Sequence, residues 1–282
     1  MVFTGKDYLS RGFAVAGVVL AILATASVVT GREITYTGSL QFSTGDYIFT
    51  ERTGSLYLFS GLGVSAGPLD VSANIPLIVQ STPWVSYSGT GMIPSGGKQY
   101  SEVGQRKRGK RIALPDTIES EDIGLGDPLL RLDVELLKAG KTIPSVRLAA
   151  QVKAPLTDVD QGFGTGEWDY GGGLSIAKIL AGNFVFVEAT YWLLGDLPEL
   201  ELKDPITYSI GLGRPLADSK FSALASFSGS TEILDDVNPP AQVGIALTCQ
   251  LDSRRSLSGS FMFGVRESSP DFSVVFGWRI GL

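Results

Sequence analysis

The chain has 282 residues, 44% of them hydrophobic and only 18% charged, with a mean hydropathy of +0.19. Its net charge of −6 argues against a nucleic-acid partner. It has no histidine and one cysteine, Cys249, which excludes Ser-His and Cys-His nucleophile pairs, His-ligated metal sites and an intrachain disulfide.

At the N-terminus, Lys6 and Arg11 precede an apolar run from Phe13 to Ala26 that closes on Ala24-Thr25-Ala26. A basic start, an apolar middle and a small-x-small end make a secretory signal peptide. Residues 1–26 are therefore expected to be cleaved, leaving residues 27–282 exported. An uncleaved anchor is the alternative, because no charge falls between Arg11 and Arg32.

From residue 33 onward the apolar residues alternate with small or polar ones. Alternate side chains of a strand point to opposite faces, so each such segment reads as a strand with one apolar face. The pattern predicts twelve strands, over 33–42, 54–65, 69–80, 128–138, 144–154, 169–179, 183–194, 205–213, 220–228, 243–251, a segment around 260–265, and 272–281. No run after residue 31 approaches the ~18–20 apolar residues of a transmembrane helix, whereas strands of about ten residues cross a membrane when tilted. The connections after even-numbered strands are short, such as 66–68 and 180–182. Those after odd-numbered strands tend to be long, such as 81–127 and 155–168, with 267–270 breaking the trend. Short turns at one end and long loops at the other mark an antiparallel up-and-down barrel of the bacterial outer membrane. A soluble sandwich or barrel fits the export signal but not the lopsided loops.

The last segment puts Phe272, Val274, Phe276, Trp278, Ile280 and Leu282 on one face and Ser273, Val275, Gly277, Arg279 and Gly281 on the other. Pairing it with 33–42 closes the barrel and leaves no open edge. An alternating last strand ending on the apolar Leu282 is similar to the signal read by the barrel-assembly machinery. Cys249 falls on the lipid face as a small hydrophobe.

The centre of the chain holds Gly124-Leu-Gly-Asp127, then Pro144-Ser-Val-Arg-Leu-Ala-Ala-Gln-Val-Lys-Ala-Pro155, then Gly162-Phe-Gly-Thr-Gly166 and Trp168-Asp-Tyr-Gly171. Over roughly residues 120–200 this resembles the outer-membrane "transporter" barrels named for the MetA protein of phenol degradation, and distantly the FadL-type channels. The resemblance implies a channel for passive uptake or efflux of small, hydrophobic or aromatic compounds. It brings no catalytic or binding residues. The strand after Asp127 departs from it, carrying Asp133 and Glu135 where a more basic inner face is expected.

The inward faces hold the candidate site. Arg131, Asp133, Glu135, Arg147, Lys153, Glu188, Arg266 and Arg279 are expected to line the lumen as mixed charges. A hairpin centred near Lys141 places Glu135 opposite Arg147 as an ion pair, and Arg131 opposite Gln151. The next hairpin places Ser175 opposite Glu188. The 81–127 connection is too long for a mere link. It carries the basic residues Arg106, Lys107, Arg108, Lys110 and Arg111, then four acidic ones with a short helix expected around 116–122. It reads either as a solvated surface loop or as a constriction folded into the mouth. If outside, its basic run is placed to meet anionic lipopolysaccharide. The loop carboxylates Asp158, Asp160, Glu167, Asp235 and Asp236 lack the spacing of a defined cation site, so no metal or cofactor is assigned.

The expected partners are outer-membrane lipid and a small solute. The alternatives to a channel are a barrel serving adhesion or envelope integrity, or a lipid-modifying outer-membrane enzyme. The enzyme is the weaker of these, because no histidine exists to activate a serine.

Overall fold

The structure is a computed structural model describing residues 32–97, 99–114, 123–157, 162–198, 200–216 and 220–282. The signal peptide expected over 1–26, the helix expected around 116–122, and Asp158 and Asp160 lie outside the described residues.

The strands in chain order are β1 (Glu33–Gly45), β2 (Thr53–Ala66), β3 (Leu69–Gln80), β4 (Ser86–Ser88), β5 (Gly91–Ile93), β6 (Ile123–Leu125), β7 (Leu129–Leu137) and β8 (Ser145–Lys153). They continue as β9 (Asp169–Leu180), β10 (Asn183–Leu193), β11 (Ile206–Pro215), β12 (Phe221–Ser230), β13 (Ala241–Gln250), β14 (Arg255–Gly264) and β15 (Phe272–Gly281). Among the described residues, one short helix, α1 (Tyr100–Gly104), lies between β5 and β6.

β4 and β5 form a small antiparallel hairpin of their own, and the other strands pair antiparallel in one sheet that closes on itself. β1 pairs with β2 on one side and β15 on the other, from Thr35↔Gly281 to Thr44↔Phe272. β6 and β7 occupy one position in the wall, both pairing with β3, so the barrel has twelve strand positions. The break between them is Gly126-Asp127-Pro128, where proline has no N–H for the ladder. There the Gly126 amide still donates to the Pro76 carbonyl at 2.7 Å, and the wall stays closed.

The alternation holds across the seam. Tyr36, Leu40, Phe42, Val274, Phe276 and Ile280 share the outer face, while Thr37, Ser39, Gln41, Ser273 and Arg279 share the inner one. Outward residues such as Ile245 (60% exposed) and Leu212 (56%) have no protein cover. A continuous apolar band around a barrel is stable against lipid, not water. Trp278 lies across the seam over Gly38, where an added Cβ would sit 2.3 Å from the indole ring. Only glycine leaves room for that ring.

The five short turns lie at one end, among them Gly67-Pro68 and Ala181-Gly182. Both Ala181 and Gly182 have positive φ (48° and 79°), as a two-residue hairpin turn matching strand twist requires. The described N-terminal segment meets the C-terminus at this end, where the Leu282 amide donates to the Ile34 carbonyl at 2.8 Å.

The protein's main apolar core is at the opposite end, over the mouth. Four connections build it: Tyr47, Ile48 and Phe49 from the first, Trp84, Val85, Ile93, Tyr100 and Val103 from the longest, Leu197 and Leu202 from a third, and Ile233 and Leu234 from a fourth. The 81–127 stretch is therefore not a solvated surface loop; most of its described apolar residues are buried in this cap. The twelve strands are largely amphipathic and spend their apolar faces on lipid. The loops hold enough Trp, Tyr, Leu and Ile to bury one another instead.

Candidate functional site

Among the described residues, the charges on the inner face of the barrel fall into four groups. On β8, Lys153 stands fully buried. Its Nζ lies 2.8 Å from Asp127 Oδ2 and 3.4 Å from Asp169 Oδ2, all three side chains being 0% exposed. The same ammonium donates to Thr165 Oγ1 at 2.7 Å and to the Glu167 carbonyl at 2.8 Å. Asp127 Oδ1 accepts the Leu156 and Thr157 amides. Asp169 accepts the Gly89 amide at 2.7 Å and the Gly195 amide at 3.1 Å. A buried ion pair is tolerated when its remaining hydrogen-bonding positions are filled, as they are here. The group binds together the break between β6 and β7, the 154–168 connection, the tip of the β4–β5 hairpin and the start of the 194–205 connection. Lys153 does point inward, but it is sealed under the loops and does not line open lumen. The Gly-Asp and Gly-Thr-Gly elements singled out in the sequence are the fabric of this anchor: an added Cβ at Gly164 would lie 2.3 Å from Asp127 Oδ2.

The second group centres on Arg131 of β7. Its Nε and Nη2 hold both oxygens of Asp133, at 2.7 and 2.8 Å, and Nη2 also reaches Glu188 Oε1 of β10 at 3.1 Å. The third centres on Arg147 of β8, whose Nη1 lies 2.9 Å from Asp70 Oδ2 of β3. Glu135 stands opposite Arg147 in register, as expected, but its carboxylate is 3.9 Å from Nη2. The expected pair is present as a loose contact, and Asp70, which the sequence reading missed, is a second and closer partner. β7 shifts register between Glu135 and Leu137, and the Glu135 amide turns to the Pro68 carbonyl, which leaves Arg147 to lean across β7 towards β3. The fourth group is Arg279 with Glu33 at 3.1 Å, across the seam. Ser175 faces Glu188, and Arg131 faces Gln151, as the hairpin arithmetic predicts.

Arg266 does not line the lumen. β14 ends at Gly264, and the 265–271 connection redirects the chain. Arg266 is exposed beside Tyr208 and Phe227, whose side chains face outward.

The basic run is partly consumed by the cap. Arg106 is buried and donates to the Lys110 and Asp236 carbonyls and to Glu267 Oε2. Arg108 reaches Asn238 at 2.9 Å, and Arg111 reaches Asp46 at 2.9 Å. Lys107 and Lys110 are exposed. Arg111 and then Arg52 hydrogen-bond the Asp46 carboxylate and hold it below its ordinary pKa.

Beneath the cap lies a cavity of ≈ 400 Å³. Its walls are hydroxyls from β11 and β12 (Thr207, Ser209, Ser228), Glu188 from β10, and the thioethers of Met92 and Met262. Beside Met92, Tyr57 and Phe59 of β2 stack with ring centroids 5.9 Å apart, and Tyr87 of the hairpin leans on both. The Tyr57 hydroxyl donates to Met92 Sδ. The hairpin therefore enters the mouth and packs on the inner wall, which is the second of the two expectations for this loop.

Asp70 and the Tyr57–Phe59–Tyr87 cluster went unnoticed in the sequence. Asp70 carried a signal, since it shares an alternate-residue face with Ser72 and Asn74. Tyr87 carried none, because its position depends on where a long loop folds.

Among solved structures the chain is similar to the COG4313 outer membrane channel from Pseudomonas putida F1, with a TM-score of 0.61 and 11% identity over 90% of this chain and 97% of that one. It also matches the P. putida toluene transporter TodX (TM-score 0.42, 10% identity, 91% of each chain) and the CymD monoaromatic hydrocarbon channel (0.41, 8%, 91% of this chain and 90% of that one). At these identities the first likeness is one of fold: a closed twelve-strand outer-membrane barrel. No protein-family model matches the chain, the family resembled by its central motifs included, and no curated protein matches it.

Proposed function

We propose that this protein is a passive outer-membrane channel for small, hydrophobic or aromatic compounds. The observation that carries this is the cavity of ≈ 400 Å³ inside a closed, lipid-faced barrel. A pocket of that size falls in the range that holds small organic ligands. Its lining is two-sided. Met92, Met262 and the neighbouring Tyr57, Phe59 and Tyr87 offer soft apolar contact, and the hydroxyls of β11 and β12 offer hydrogen bonds. The matching solute has an apolar, ring-sized body with a polar group on one side.

Export by the signal peptide over 1–26 and insertion through the β15 signal belong to the same proposal, with the short turns in the periplasm. Lys107 and Lys110 then face the lipopolysaccharide layer. The absence of histidine favours transport over hydrolysis.

The cap over the mouth supports one competing reading, a non-transporting barrel that serves adhesion or envelope integrity. Liposome swelling and planar-bilayer conductance separate the two. Solute flux that is size-limited and faster for small aromatic compounds is expected. Folded, inserted protein with no flux at all would overturn the channel reading in favour of the other.

A further inference from the structure

The charged groups of the lumen are distributed unevenly, and the imbalance has one sign. Lys153, Arg131 and Arg147 each stand between two carboxylates: Asp127 and Asp169, Asp133 and Glu188, Asp70 and Glu135. Each group therefore carries one net negative charge, while Arg279 and Glu33 cancel. All three unbalanced groups sit on the arc β3 and β7–β10. The rows Leu129↔Lys153, Arg131↔Gln151 and Glu135↔Arg147 order them from the mouth to the short-turn end. The facing arc, β11–β14, has hydroxyls, amides, glycines and a few apolar side chains on its inner face, and no charge among its described inward residues.

We infer that the lumen is cation-preferring: it admits small cations and neutral or amine-bearing solutes and rejects carboxylates, with Glu188 and Asp70 as the deciding residues. This rests on the channel reading. A lumen walled by low-dielectric strands focuses the field of its fixed charges, and excess carboxylates enrich counter-ions of the opposite sign. The Lys153 group is sealed and acts only at a distance. The Arg131 and Arg147 groups are partly exposed, so a passing ion meets their carboxylates directly. Glu188 is the one charged side chain that lines the cavity itself, and one of its oxygens is taken by Arg131. Anions gain no matching partner, because each guanidinium is already engaged by carboxylates.

The test is the reversal potential of the full-length protein in a planar bilayer under a KCl gradient at low ionic strength. A potassium-to-chloride permeability ratio on the order of ten is expected, at the low end of such enrichment. It should collapse towards one in ~1 M salt, where the screening length is about 3 Å. Glu188→Gln and Asp70→Asn should each lower the ratio, and together bring it close to one, with heat-modified gel mobility unchanged. Conductance with a ratio at or below one in the unaltered protein overturns the inference and leaves the channel reading standing. So does a preference that survives both substitutions. Absence of conductance from folded barrel overturns both.

Discussion

Arg131 Nη2 lies 3.1 Å from Glu188 Oε1, although β8 and β9 stand between their strands. The contact crosses the concave inner face of the barrel. Next to it the intervening strands present Ala149 and Gly173, which are paired with each other in register and leave the chord clear. A long-range ion pair of this kind exists only because the wall curves.

Removing Arg131 tests that chord. Arg131→Ala should strand Asp133 and Glu188 beside each other in a half-wet lumen. The expected loss of stability is about 1–3 kcal/mol, more than for an exposed pair but less than for a sealed one. Thermal unfolding in detergent measures it. A loss no larger than that of Arg279→Ala, whose pair is half exposed, would show the chord adds nothing.

The buried anchor should matter most. Lys153→Met leaves the buried Asp127 and Asp169 carboxylates without their cation. Breaking one side of such a group costs about 3–5 kcal/mol. The damage should appear first in the cap, because Asp169 holds Gly89 and Gly195 there. Faster proteolysis of the 81–114 and 194–205 connections, with the barrel still resistant, is the expected pattern. Adding Asp127→Asn and Asp169→Asn to Lys153→Met should recover part of the loss.

Acid should loosen the cap through Asp46. Its carboxylate bridges the 46–52 connection to the basic run by accepting from Arg111 and Arg52, and these bonds put its pKa below the ordinary 3.8. A group whose pKa falls on folding stabilises the folded form above the ordinary value, and that contribution disappears as pH drops through the lowered one. The window therefore opens near pH 3.8 and extends downward. Channel conductance should rise across it, and Asp46→Asn should show the raised conductance already at neutral pH. A flat profile in both proteins would rule out control by this contact.

Closure depends on the seam. Gly38→Val should drive Trp278 off the wall and lower the yield of folded barrel, since the Cβ position lies 2.3 Å from the indole. Trp278→Ala should partly rescue it by making room. Deleting 272–282 should abolish membrane assembly, because both β1 and β14 lose their partner. Recovery of that truncated chain as a folded, soluble protein would contradict the barrel.

How far the sequence alone reaches depends on the range of the interaction. The twelve wall segments, their faces and their turns follow from a period of two and from turn chemistry, which are local. The Glu135↔Arg147 and Ser175↔Glu188 registers follow from counting outward from a turn. Three-dimensional folding decided what counting cannot reach. Arg147 took Asp70 from a strand two places away in the wall, and Arg266 left the lumen because its strand stopped at Gly264. The basic run, which reads as a solvated patch, gave Arg106 to the interior of the cap. Lys153, legible as an inward charge, became a sealed anchor because loops distant in sequence meet above it. Alternation assigns a residue to a face. Which charges on that face stay wet, and which partners they find, is settled by the curvature of the closed sheet and by loops whose conformation has no period to read.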